Sequence, residues 1–172
     1  MLKLLPILFF AAVNISQISI FEIDGIFSNS HINAIQRYVD ENDLRESNLF
    51  VIQYNASDTS ENSVTELQEL LKDIKTPKAI WVGPNETIVD AGLLKSFDYV
   101  GISPGTTIIN KLSNNEFEFL DQEGIYEGYM VVGSIGAFIE NLGSENIISN
   151  LTSLEGSTPG IVSFDINSDD IN

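Results

Sequence analysis

Short apolar runs alternate with segments of helical periodicity through the first hundred residues, and this alternation restricts the fold more than any other feature. Ile18 to Ile23 alternates apolar and polar and stops at Asp24-Gly25, as a strand ending in a turn does. Leu49 to Tyr54 is a compact apolar run of the kind found in buried parallel strands, and Ala79-Ile80-Trp81-Val82 is another. Between the first two, Ile32, Ile35, Tyr38 and Val39 recur at helical spacing, predicting a helix from His31 to about Asp43 capped by Asn29 or Ser30. Between the second and third, a polar loop over 55–62 leads to a second helix. Ser63 is its expected cap, Glu66 completes a capping box, and Val64, Leu67, Leu70, Leu71 and Ile74 form its stripe before Pro77 ends it. Strand, helix, strand, helix, strand at this spacing predicts an α/β domain whose parallel sheet is joined by helical crossovers. A length of 172 residues fits one such domain with a sizeable core.

Composition excludes several function classes. There is no cysteine, so disulfides and thiolate metal sites cannot form. The formal net charge is −17, and no Lys, Arg or His follows Lys111. Binding to nucleic acid or to an anionic surface through that half is electrostatically opposed, and a solvated acidic surface accounts for the charge. At the N-terminus, Lys3 precedes an apolar run from Leu4 to Val13, which then exits abruptly into Asn14-Ile15-Ser16-Gln17. The run is shorter than the roughly 20 residues needed to span a bilayer, and it suits the core of a signal peptide. The expected organisation is a signal peptide over 1–17, a domain over 18–156, and a final strand with an acidic end over 157–172. That predicts an exported protein, extracytoplasmic and either membrane-associated or secreted.

Ile80 to Thr107 reads as strand, loop, short helix, strand and a Pro-Gly turn. Beyond Thr107 the pattern loosens, and Ile108, Ile109, Phe117, Phe119 and Leu120 have no clear element. Gly128 to Val132 then reads as a strand, Ser134 to Leu142 as a short helix, and Gly160 to Ile166 as a last strand.

Four pieces in order carry a family resemblance: Ile20 to Ile26 (IFEIDGI), Leu49 to Tyr54, Ile80-Trp81-Val82-Gly83-Pro84, and Asp90-Ala91-Gly92 followed by Ser103-Pro104-Gly105-Thr106. Together they resemble the ClpP-like peptidase domain of the NfeD family, the membrane-bound partners of stomatin-type proteins, related to signal peptide peptidase A. The resemblance covers 18–107 well and the remainder weakly. It implies a single ClpP/crotonase-like domain and a Ser-Lys serine peptidase as the ancestral activity. Asp90, Ala91 and Gly92 fall on the family's S-A-G, so Asp90 stands at the nucleophile position. It also implies a polypeptide or a stomatin-like membrane protein as partner, a possible homo-oligomer, and membrane helices beyond the domain.

The departures fall on the chemistry. A hydroxyl nucleophile at a helix start is replaced by a carboxylate, a poor acyl-transfer nucleophile. The Gly-Gly pair that would offer backbone N–H groups to an oxyanion is replaced by Asn55-Ala56-Ser57-Asp58-Thr59. The general-base lysine, far downstream in the family, is missing, since Lys95 and Lys111 match no such distance. The expectation is a pseudoenzyme with no intact catalytic residue, no cofactor and no metal. An active hydrolase using Ser57 or Ser103 with Lys95, or a structural assembly subunit, stand as alternatives. His31, the only histidine, is read as a capping or surface residue. Asp165, Asn167, Asp169 and Asp170 lack the Gly and Glu of a calcium loop and are read as a solvated tail. Sequons at Asn14, Asn55, Asn85 and Asn150 are attributed to chance, and Trp81 to the core.

Overall fold

The three apolar runs become neighbouring parallel strands in a computed structural model, which describes residues 17–41, 47–59, 61–84, 87–111, 117–119, 129–144 and 161–164. The expected leader and the acidic end after 164 lie outside the described residues. In chain order the elements are β1 (Gln17–Phe27), α1 (Asn29–Glu41), β2 (Ser47–Thr59), α2 (Glu61–Asp73), β3 (Lys78–Val82), β4 (Ile88–Asp90), α3 (Ala91–Leu94) and β5 (Tyr99–Ile102). Then come β6 (Thr107–Lys111), β7 (Phe117–Phe119), β8 (Met130–Val131), α4 (Ile135–Ser144) and β9 (Ile161–Phe164). The main sheet runs β8-β5-β3-β2-β1-β9, with every neighbouring pair parallel. The expected α/β class with a parallel sheet is what the chain forms.

Period-two alternation sorts the side chains onto two faces, and each face has its own core. Phe21 and Ile23 of β1, Phe50, Ile52 and Tyr54 of β2, and Ile80 and Val82 of β3 share one cluster with α1 and α2. There they meet Ile32 and Ile35 of α1, Leu67 and Leu71 of α2, and Ile74 just after it. Ile18, Leu49, Val51, Ala79 and Trp81 point the other way, against Phe138 and Leu142 of α4. Burial on both faces is why 49–52 is an unbroken apolar run. Trp81 is packed as expected, and its indole N–H donates to the Val132 carbonyl at 3.2 Å. Ser19 is fully buried on the face covered by α1 and α2, where the Tyr38 hydroxyl donates to it at 2.8 Å.

Several boundaries differ from the sequence reading. Strand β1 continues through Asp24-Gly25 to Phe27, because Phe27 still reaches the core and Gly25 adopts φ +70° without a Cβ penalty. Strand β2 likewise continues to Thr59 instead of entering a loop at Asn55, since its polar end pairs with β1 as far as Phe27 opposite Thr59. Helix α1 begins at Asn29, and α2 at Glu61. Ser63 therefore sits inside α2 as a buried residue whose hydroxyl donates to Asn29 Oδ1 at 3.0 Å, tying the two helix starts together. Of the residues without a clear element, Ile108 and Ile109 fall in β6 and Phe117 and Phe119 in β7, while Leu120 lies outside the described residues. With β4 these strands make a second sheet, β4-β6-β7, in which β4 and β6 are parallel and β6 and β7 antiparallel. Of the run expected as a strand from 128 to 132, β8 takes only Met130 and Val131.

Candidate functional site

The second sheet delivers Asp90 to the place of interest. Strand β4 ends at Asp90, whose backbone is still extended (φ −77°, ψ 129°), and α3 starts at the next residue. Asp90 is the N-cap: Oδ1 accepts from the Gly92 N–H at 2.6 Å and from the Leu93 N–H at 3.3 Å. A short polar side chain at this position satisfies helix-start amides that have no partner within the helix. Gly92 suits the same arrangement, because a Cβ there would come within 2.7 Å of the capping oxygen and make the Asp90 side chain shift. The Gly92 carbonyl accepts from Gln68 Nε2 at 3.0 Å, which fastens the turn to α2. Ala91 and Gly92 are partly exposed, while Leu93 and Leu94 anchor the helix in the core. Asp90 is thus a carboxylate at a helix start, turned back onto the amides of that start.

The 55–59 segment, expected in place of a glycine loop, is built into the sheet. Gly25 pairs with Ala56 and Ile26 with Asp58, so Ser57 is the extra residue of a bulge. Its exposed hydroxyl donates to the Gly25 carbonyl at 3.3 Å. Asn55 donates through Nδ2 to Glu22 Oε1 at 3.1 Å, the oxygen that also receives Gln53 Nε2 at 2.8 Å. The Asn55 side chain also lies over the backbone of Gly83, in the space a Cβ would need. An Asn held in a strand by these contacts is no open acceptor for a glycan.

The remaining candidates are separated. Ser103 is buried at the end of β5 and opens a turn with Pro104 next and Gly105 at φ +90°, closed by the Thr106 N–H donating to the Ser103 carbonyl at 3.2 Å. Pro followed by a positive-φ Gly is the type II signature. Thr106 Oγ1 donates to the Gly83 carbonyl at 2.9 Å, docking this turn beneath the end of β3. Lys95 follows the last residue of α3 and opens to a different surface cleft of about 370 Å³, shared with Gln68, Lys72, Lys78, Ser96 and Asp98. Neither Ser57 nor Ser103 lines that cleft. His31 lies in the first turn of α1, where Nδ1 is 3.4 Å from both the backbone N and Oγ of Ser28. It takes the place of the Glu or Gln of a capping box. Burial holds its pKa below the ordinary 6.5, against smaller upward pulls from Ser28 and Asp24. Sequence reasoning missed this cap geometry, although Ser28 three residues before His31 was its one available signal.

Among the described residues no group of three or more His, Cys, Asp or Glu could hold a metal ion, and no helix is long and apolar enough to cross a membrane. The acidic run at Asp165, Asn167, Asp169 and Asp170, and the sequons at Asn14, Asn85 and Asn150, lie outside the described residues.

The architecture has close structural counterparts. The 1510-N membrane protease specific for a stomatin homolog from Pyrococcus horikoshii superposes with a TM-score of 0.65 over 90% of this chain and 95% of that one, at 11% identity. A serine-to-alanine variant of the 1510-N membrane-bound stomatin-specific protease gives 0.60 over 88% and 99%, also at 11% identity. This chain has the ClpP-like fold. No protein-family model and no curated protein sequence matches it. The ClpP-like fold with so little shared sequence means that scaffold and side chains must be read separately. Here the scaffold agrees with the sequence resemblance, and the side chains at the expected nucleophile position form a cap.

Proposed function

We propose that this chain is an exported, catalytically inactive ClpP-like domain that binds polypeptide or assembles with partners at a membrane. The observation that carries the reading is the Asp90 cap. Its carboxylate accepts from Gly92 and Leu93 at the start of α3, where a serine peptidase of this fold would hold its nucleophile. Two further features support it. The 55–59 segment is a bulged strand on β1 in place of a glycine loop, and Lys95 opens to a separate cleft. Acyl transfer needs nucleophile, base and oxyanion donors within reach of one reacting atom. Polypeptide binding needs none of them, because an extended segment can add to a sheet edge through backbone pairing alone. A stomatin-like protein is the partner to try first, given the specificity in the names of the structural counterparts.

The test is labelling of the full chain with a fluorophosphonate, alongside casein digestion and capture by a stomatin-homologue peptide. Peptide capture without labelling or digestion is the expected result, for the native chain and for Asp90→Ser alike. Labelling that disappears on Ser57→Ala or Ser103→Ala would replace this reading with an active hydrolase. Activity gained in Asp90→Ser would show that the base and oxyanion donors survive.

A further inference from the structure

Asp24-Gly25 is the only Asp-Gly pair in the chain, and both residues are exposed. The pair lies near the end of β1, just before the register slip between Gly25 and Ile26. The Gly25 backbone nitrogen stands 2.9 Å from Asp24 Oδ1, its N–H turned onto the neighbouring carboxylate. Gly25 has φ +70°, and nothing lies within 4 Å of where its Cβ would be, so the space beside its Cα is open. Glycine adds no side chain to obstruct a ring that joins the two residues. From these observations we propose that Asp24-Gly25 is a site of spontaneous isoaspartate formation.

The chemistry is self-contained. The Gly25 nitrogen gives up its proton and bonds to the side-chain carbonyl carbon of Asp24 in its protonated form. The carboxyl hydroxyl leaves as water, and a five-membered succinimide results. Water then adds to one of the two ring carbonyls. Opening at the side-chain carbonyl restores aspartate, while opening at the main-chain carbonyl routes the backbone through the side-chain carbon. The net change is an isomerisation without loss or gain of atoms.

Position gives the change a structural consequence. An extra backbone carbon at residue 24 lengthens β1 on the approach to the bulge, where Ser57 donates to the Gly25 carbonyl. Ile26 and Phe27 must still pair with Asp58 and Thr59, and Phe27 must still reach the core. The modified chain therefore has to give up part of this pairing.

The experiment is prolonged incubation of the full chain at neutral pH, followed by labelling with an isoaspartyl methyltransferase and peptide mapping. Methyl incorporation concentrated in the peptide containing Asp24 is expected, and Asp24→Glu should reduce it to background. Asp24→Asn should deamidate at the same residue, with the corresponding mass gain, which guards against a variant that merely misfolds. A urea-unfolded sample serves as reference. If that sample forms isoaspartate at residue 24 while the folded chain remains unmodified, the sheet protects the pair and the proposal fails. Incorporation unchanged in Asp24→Glu would overturn it as well.

Discussion

Asp90 shows how one short polar side chain can fix the start of a helix, accepting from two amides at once. Serine and aspartate are both good N-caps, so this helix start can carry either. Replacing Asp90 with Ala should cost about 1 kcal/mol through loss of the cap, read as a lower urea midpoint, while Asp90→Ser should cost less. Equal stability of the Ala and native chains would show that the cap is not what holds α3. His31 makes a second residue-scale prediction. Burial of its imidazole at the start of α1 disfavours the charged form, so the folded chain favours the neutral form and its pKa lies below 6.5. The unfolded chain then binds more protons in this window, and stability rises with pH. The contribution is fully present above 6.5 and is lost as pH falls from 6.5 through the folded pKa. Thermal melts should record that loss, and His31→Gln, which keeps an acceptor without the titration, should flatten it. An unchanged slope in the variant would assign the dependence to carboxylates.

At the scale of elements, α4 is held on its face of the sheet by few residues. Phe138 is fully buried against Gly101, where even a Cβ would approach its ring to 2.6 Å. Phe138→Ala should destabilise the chain by about 3–5 kcal/mol. Its effect should be largest on hydrogen exchange in β5 and β8, and a uniform effect across the sheet would argue that α4 does not act as a separate unit. The helices and central strands were readable because their periodicities are strong and both faces are covered. The ends of β1 and β2 were not, since Asp24-Gly25 and Asn55 to Thr59 have the composition of turns and become strand only by pairing with each other. The second sheet was hidden for a similar reason. Ile88 to Asp90 is too short to show a period and depends on β6 to be a strand.

For the whole molecule, charge is the property to test. A net charge of −17 on one domain works against compaction by self-repulsion, and the repulsion is screened within about 8 Å at physiological ionic strength. The melting temperature should therefore rise between low and physiological salt; a fall would point to ion pairs outweighing the repulsion. The described ion pairs make that outcome unexpected, since Lys72–Glu69 is exposed and Lys78–Asp98 spans 3.8 Å. The sequence by itself determined the class of fold, because alternating apolar periods leave a parallel sheet with helical crossovers as the simple solution. It also determined that a carboxylate stands at residue 90. Only the tertiary structure decided what that carboxylate does. Whether Asp90 faces a cleft or closes a helix depends on where β4 ends and how α3 turns, and both are fixed by strands and helices distant in sequence. The separation of Ser57, Ser103 and Lys95 was decided in the same way, since proximity between distant residues is a property of packing and not of spacing.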